Sequence, residues 1–198
     1  MNIIDTLKPS QKKYLSIQKL KKVSTLFYEN DICNCIGIIL EGKLSIVSYL
    51  ENGDEVVFNT LYTNDIFGNN LVFSSTPYYK GNIITNEDSV VALIKKKDLL
   101  TLLKKNEAFL IEYQRIHSNF TKNLNNKIKL LSMTSAEERL YFYLHENKNI
   151  IEFKSITVLA KELYLQRETL SRLITKLTKK NKIIKSRNMI KLVTKEEN

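Results

Sequence analysis

No stretch of 18 or more apolar residues occurs in this 198-residue chain, which excludes a membrane-spanning helix. The first 20 residues mix apolar, polar and Lys side chains, without the continuous apolar segment of a secretory signal, so a cytoplasmic protein is expected. Cysteine is scarce. Cys33 and Cys35 are the only two, one residue apart, and a bridge between them would close a strained, very small ring. Histidine is equally rare: His117 and His145 are both remote from the cysteines, so no metal-ligand set emerges and no metal site is expected. Both cysteines read as packed or half-exposed thiols of a reducing compartment. A four-cysteine iron–sulfur cluster is excluded by count. His117 reads as a solvated helix residue rather than a haem ligand. With no histidine in the first hundred residues, a metal-dependent jelly-roll enzyme has no ligands to use. No Gly-rich phosphate loop, nucleophile elbow or Ser/His/Asp set is present, so the chain is not expected to be an enzyme.

Glycine and proline are missing from the whole second half. All five glycines (Gly37, Gly42, Gly53, Gly68, Gly81) and both prolines (Pro9, Pro77) precede residue 82. Tight turns therefore belong to the first half, because glycine supplies the positive φ they need. Residues 36–40, 43–50 and 55–62 are rich in β-branched and aromatic side chains and are separated by Glu41-Gly42, Asn52-Gly53-Asp54 and Thr63-Asn64-Asp65. Residues 81–85 and 89–95 are similar. Short strands at this spacing predict an antiparallel β-barrel or jelly roll.

The period then changes. Phe109, Tyr113, Ile116, Phe120, Leu124, Ile128 and Leu131 recur at steps of three and four, the stripe of a helix more than ~30 Å long. Such a seam must be buried. Either it packs on the side of the barrel, or it pairs with the same helix of a second chain as a coiled coil. The dimer is favoured, with the N-terminal turns also touching the barrel. The helix breaks near 132–133, where Thr134 with Glu137, or Ser135 with Glu138, forms a capping box that opens a helix through Leu144. The expected domains are thus 1–105, a β-barrel sensor; 106–132, a dimerisation helix; and 133–198. The fold class is α+β.

Residues 155–177, SITVLAKELYLQRETLSRLITKL, hold two short helices. Ser155 caps the first, which buries Leu159, Ala160 and Leu163. A turn at Tyr164-Leu165 leads to a second helix capped by Gln166, burying Leu170, Leu173, Ile174 and Leu177 and exposing Arg167, Glu168, Ser171, Arg172, Thr175 and Lys176. This is a helix-turn-helix pattern. Arg offers a fork for guanine, Glu accepts from cytosine, and Ser and Lys suit phosphates. On residues alone, an i,i+4 pair between Glu168 and Arg172 on a solvated helix is the competing reading. Residues 183–186 and 189–193 flank Arg187-Asn188 as a basic hairpin carrying Lys185 and Arg187, placed as a wing. The chain has a formal charge of +10, and residues 166–191 hold nine basic side chains against one acid, Glu168, a block that suits a polyanion.

The run LAKELYLQRETLSRLITKL followed by KKNKII resembles the helix-turn-helix and wing of the cyclic-AMP receptor protein/FNR (Crp/Fnr) family. The order barrel, long helix, winged helix extends the resemblance over nearly the whole chain. It implies a homodimeric, sequence-specific transcription regulator on a two-fold DNA operator, with RNA polymerase as a candidate further partner. It places Arg167, Glu168 and Arg172 on base-reading positions and Ser171 on a backbone-contacting one. Gln166, Lys176, Lys185 and Arg187 complete the expected DNA face. Three departures stand out. Tyr164 replaces the family's usual left-handed Gly at the helix–helix turn. Gln166 replaces a frequent Ser. In the stretch FGNNLVFSSTPYYKG, Asn69, after Gly68, stands where cyclic-nucleotide binders have Glu, and Tyr79 and Lys80 stand where they have Arg-Ser. A cyclic phosphate would have no bidentate partner there. The expectation is a degenerate sensor pocket that does not use cAMP, with no cofactor and an unknown small molecule as the remaining effector option. The alternative function is a binding module whose winged helix contacts another protein.

Overall fold

The computed structural model describes residues 2–193; Met1 and residues 194–198, the outer ends of the first and last expected domains, lie outside the described residues. The chain forms two compact units, Met1–Asn119 and Phe120–Asn198.

The first unit opens with two 3₁₀ turns, Ile3–Thr6 and Pro9–Tyr14. Eight strands follow: β1 (Ser16–Leu20), β2 (Thr25–Phe27), β3 (Cys35–Glu41), β4 (Lys43–Tyr49), β5 (Glu55–Tyr62), β6 (Ile66–Phe67), β7 (Asn82–Thr85) and β8 (Ser89–Lys95). They make two antiparallel four-stranded sheets, ordered β1-β8-β3-β6 and β2-β7-β4-β5, which form a jelly roll. The Gly punctuation acts as the sequence implied: Gly42 (φ +94) turns β3 into β4, and Gly53 (φ +84) lies in the loop between β4 and β5. β1, β2 and β6 carry little sequence signal. β1 is an edge strand with its residues largely exposed, so it shows no alternation, and β6 is only two residues long. Ile36, Ile38, Leu44, Ile83, Val91 and Ile94 fill the interior. The helix α1 (Lys96–Lys105) adds Leu99 and Leu102 to it.

Helix α2 spans Glu107–Ser132, so the long apolar stripe is indeed helical. Its stripe is not one uniform seam. Phe109 and Tyr113 are buried in the barrel core of their own chain and Ile116 packs against it, which removes Phe109 and Tyr113 from any interface with a second copy. Phe120, Leu124, Ile128 and Leu131 stay exposed, at 41–58% of their surface. Both halves step by three and four, and the first half meets barrel side chains of its own unit.

The second unit contains the last turns of α2, then α3 (Ala136–Glu146), β9 (Ile150–Glu152), α4 (Ile156–Glu162), α5 (Arg167–Lys179), β10 (Ile183–Lys185) and β11 (Met189–Leu192). Of the two capping boxes available for α3, Ser135 with Glu138 forms: the Ser135 hydroxyl accepts from the Glu138 amide at 3.1 Å, and the Ser135 amide donates back to the Glu138 carboxylate at 3.4 Å. β9, absent from the sequence reading because three residues show no period, pairs with β11 and makes the sheet β10-β11-β9. Leu140, Leu144, Leu159, Leu163, Leu170 and Leu177 are fully buried in a common core with Ile183 and Ile190. Removing one such leucine costs about 2–5 kcal/mol, enough to loosen a unit of this size.

Candidate nucleic-acid interface

Helix α4 starts where Ser155 accepts a hydrogen bond from the Val158 amide at 3.2 Å. It ends at Leu163 and Tyr164. Tyr164 adopts φ +53, the left-handed conformation that the turn requires. A non-glycine residue there costs of order 1 kcal/mol. Local bonds offset it: the Tyr164 amide donates to Lys161 O at 3.1 Å, and the Leu165 amide to Ala160 O at 2.9 Å. The Arg139 guanidinium donates to Tyr164 O at 2.8 Å, and the Lys127 ammonium sits 5.4 Å from the centre of the Tyr164 ring.

Gln166 occupies the N-cap of α5, yet its side chain makes no capping bond, contrary to the role expected for it. A Gln side chain is longer than the Ser, Thr, Asn and Asp preferred at this position. Helix α5 buries Leu170, Leu173, Ile174 and Leu177 and leaves Arg167, Glu168, Ser171, Arg172, Thr175 and Lys176 exposed. Among the described residues, no ion pair joins Glu168 to Arg172, so the self-contained surface pair does not form. Ser171, Arg172, Thr175, Lys176, Lys179 and Lys180 line a shallow groove of about 500 Å³ along this face. Lys176 also lies 3.6 Å from the Glu137 carboxylate, which reaches Lys182 at 3.5 Å, so part of its charge is already offset. The hairpin of β10 and β11 closes with the Ser186 amide donating to Met189 O at 2.9 Å and presents Lys185 and Arg187 to solvent. The second unit therefore combines an exposed polar helix, held down by leucines, with a basic hairpin: a winged helix-turn-helix.

The other predicted site lies in the barrel. Gly68 (φ +75) is buried, and a Cβ there would lie 2.8 Å from Cys35 O, so only glycine fits. Asn69 is buried beside it. Its carbonyl accepts the Tyr113 hydroxyl at 3.3 Å and stands 2.9 Å from Nε2 of His117. A carbonyl only accepts, so that nitrogen carries the proton. His117 is thus half-buried and engaged with the barrel, not the solvated residue expected from its position off the stripe. Tyr79, expected to line an effector pocket, is 2% exposed; its ring stacks on Phe27 with centroids 4.7 Å apart. Its hydroxyl lies 4.0 Å from the Cys35 thiol. It is a core side chain filling the space, whereas Lys80 next to it is exposed. The free thiols of Cys33 and Cys35 are fully buried rather than half-exposed. Burial raises the pKa of both cysteines and of Tyr79, and pushes Tyr113 up to about 12. Among the described residues no cluster of three or more His, Cys, Asp or Glu could hold a metal, and no helix is long and apolar enough to cross a membrane.

Residues 17–106 match the cyclic nucleotide-binding domain family. No curated protein sequence matches the chain. Solved structures share its architecture. A CooA variant from Carboxydothermus hydrogenoformans is similar over 100% of this chain and 94% of its own, with 16% identity and a TM-score of 0.64. The catabolite activator protein of Thermus thermophilus matches over 96% and 93%, with 16% identity and a TM-score of 0.56. A transcriptional regulator from Thermotoga maritima matches over 65% of this chain and 100% of its own, with 22% identity and a TM-score of 0.58. The class is therefore a cyclic nucleotide-binding-type jelly roll in a chain that also carries a helix-turn-helix. Over nearly its whole length the chain shares the fold of these solved structures.

Proposed function

We propose that this protein is a homodimeric, sequence-specific DNA-binding transcription regulator that reads the major groove with α5. The observation that carries the reading is the α5 surface. Arg167, Glu168 and Arg172 are exposed without a side-chain partner among the described residues, while four apolar side chains on the opposite face hold the helix in place. Forks of Arg suit guanine edges, and a carboxylate suits cytosine N4. Ser171, Lys176, Lys185 and Arg187 supply backbone contacts, with Gln166 at the helix start. The second half of α2, with Phe120, Leu124, Ile128 and Leu131 exposed at coiled-coil spacing, supplies the dimer seam. Residues 106–132 act as the connecting helix between a sensor barrel and the reading domain.

The barrel is a sensor that does not use cAMP. Tyr79 fills the interior, and Gly68, Asn69 and Lys80 provide no bidentate cation for a cyclic phosphate. In this reading the regulator carries no resident cofactor and catalyses no reaction. Calorimetry with cAMP is expected to show no heat of binding at micromolar concentrations; a micromolar dissociation constant refutes this part.

Selection of bound duplexes from a random pool identifies the operator. On it, Arg167→Ala is expected to cost about 1–3 kcal/mol and to relax base preference at one position in each half-site. Lys185→Ala should weaken operator and random duplexes alike. Identical behaviour of the two variants on both DNAs would remove the base-reading assignment.

A further inference from the structure

Arg139 of α3 has an arrangement that neither the leucine core nor the DNA-reading face accounts for. It makes no ion pair among the described residues. Its guanidinium is spent on two backbone carbonyls from separate parts of the second unit. Nε and Nη2 donate to Met133 O at 3.2 and 3.0 Å, and Nη1 donates to Tyr164 O at 2.8 Å. Met133 is the joint where α2 ends and α3 begins. Its carbonyl is one of the acceptors a helix C-terminus leaves open. Tyr164 is the left-handed residue of the turn between α4 and α5, three positions before Arg167. A planar fork with fixed donor directions can hold two carbonyls at a set separation; an ammonium cannot do so with the same geometry.

The surroundings strengthen the link. Leu130, in the last turns of α2, is buried in the core of this unit, and Lys127 one turn earlier lies against the Tyr164 ring. The turn is thus gripped by α2 through Lys127 and by the α2–α3 joint through Arg139. Leu170, Leu173, Ile174 and Leu177 anchor α5 from the end of its first turn onward, so a displaced turn would act on the residues before Leu170, where Arg167 and Glu168 project.

We propose that Arg139 is a positioning residue: it clamps the end of the long helix to the helix–helix turn and so transmits the pose of α2 to Arg167. The proposal rests on the DNA-reading function assigned above to α5, and its test separates the two. Arg139→Ala, Arg139→Lys and the unaltered protein are titrated with the selected operator and with a random-sequence duplex of equal length. Amide hydrogen exchange is measured on each protein without DNA. Both variants are expected to lose at least tenfold on the operator and less than about threefold on random DNA. The amides of Tyr164 and Leu165 should exchange at least tenfold faster, with those of 173–177 unchanged. Restored operator affinity in Arg139→Lys would mean that charge alone suffices, and would overturn the proposal. So would equal losses on both duplexes, or uniformly faster exchange through α5. If the unaltered protein selects no sequence from the pool, the DNA-reading function fails instead, and the exchange data still decide whether the clamp holds the turn.

Discussion

Tyr79 occupies a position where its phenol faces weak partners, the buried thiols of Cys33 and Cys35, the latter at 4.0 Å. Its value to the barrel is the ring stacked on Phe27. Tyr79→Phe should therefore leave stability at pH 7 within about 1 kcal/mol, because no strong hydrogen bond is lost. At alkaline pH it should do better than the unaltered protein. Burial raises the Tyr79, Cys33 and Cys35 pKa values in the folded state, so the unfolded chain releases these protons first. Their contribution is complete below the unfolded values, near 9 and 10, and is lost as pH rises through the folded ones. Urea titrations from pH 8 to 11 should show stability falling with pH, less steeply in Tyr79→Phe; equal slopes would mean the phenol does not titrate in this range. Tyr164 shows a second lesson at the same scale. Its left-handed backbone was expected only through the family resemblance, which has Gly there, and the Arg139 and Lys127 contacts that offset the strain come from residues 25 and 37 positions away and leave no trace in local pattern.

Helix α2 shows how one sequence period serves two purposes. Its stripe buries Phe109 and Tyr113 against its own barrel and then leaves Phe120, Leu124, Ile128 and Leu131 in water. Four large apolar side chains in a row on a lone exposed helix face are unfavourable unless a partner covers them. Replacing Leu124 and Ile128 together with Asp should convert the proposed dimer to a monomer in sedimentation velocity runs, with operator affinity down at least 100-fold. Thermal unfolding of the barrel should be unchanged, because neither residue is in its core. A variant that sediments as the unaltered protein would place the dimer contact elsewhere. Helix α5 was readable throughout, since its apolar positions and exposed face follow one period; its N-cap was not, because position alone does not say whether the Gln166 side chain turns back to the backbone.

At the scale of the whole molecule, charge and architecture agree. The basic surplus concentrates in 166–191, and in the folded second unit Lys179, Lys180, Lys185 and Arg187 stand exposed, as does the face of α5 proposed to read DNA. If these four from each protomer neutralise phosphates, the logarithm of the binding constant should fall with the logarithm of salt at a slope of about −7. That corresponds to a loss on the order of 10⁴-fold between 50 and 200 mM. A flat profile would instead indicate a protein partner for the winged helix.

The order of the parts was legible in the chain alone: turn-forming residues confined to the first half, a 3.6-residue period from Phe109 onward, and two short amphipathic helices before a basic hairpin. These are local properties, set by backbone preference and by the spacing of apolar residues, and they survive without knowledge of what lies opposite. Folding settled what depends on residues distant in sequence. It put Tyr79 inside the barrel and His117 on the Asn69 carbonyl, it divided the α2 stripe into a covered and an uncovered half, and it set Arg139 between Met133 and Tyr164. Each of these depends on which surface a side chain meets, and that is a property of packing in three dimensions that no single segment carries.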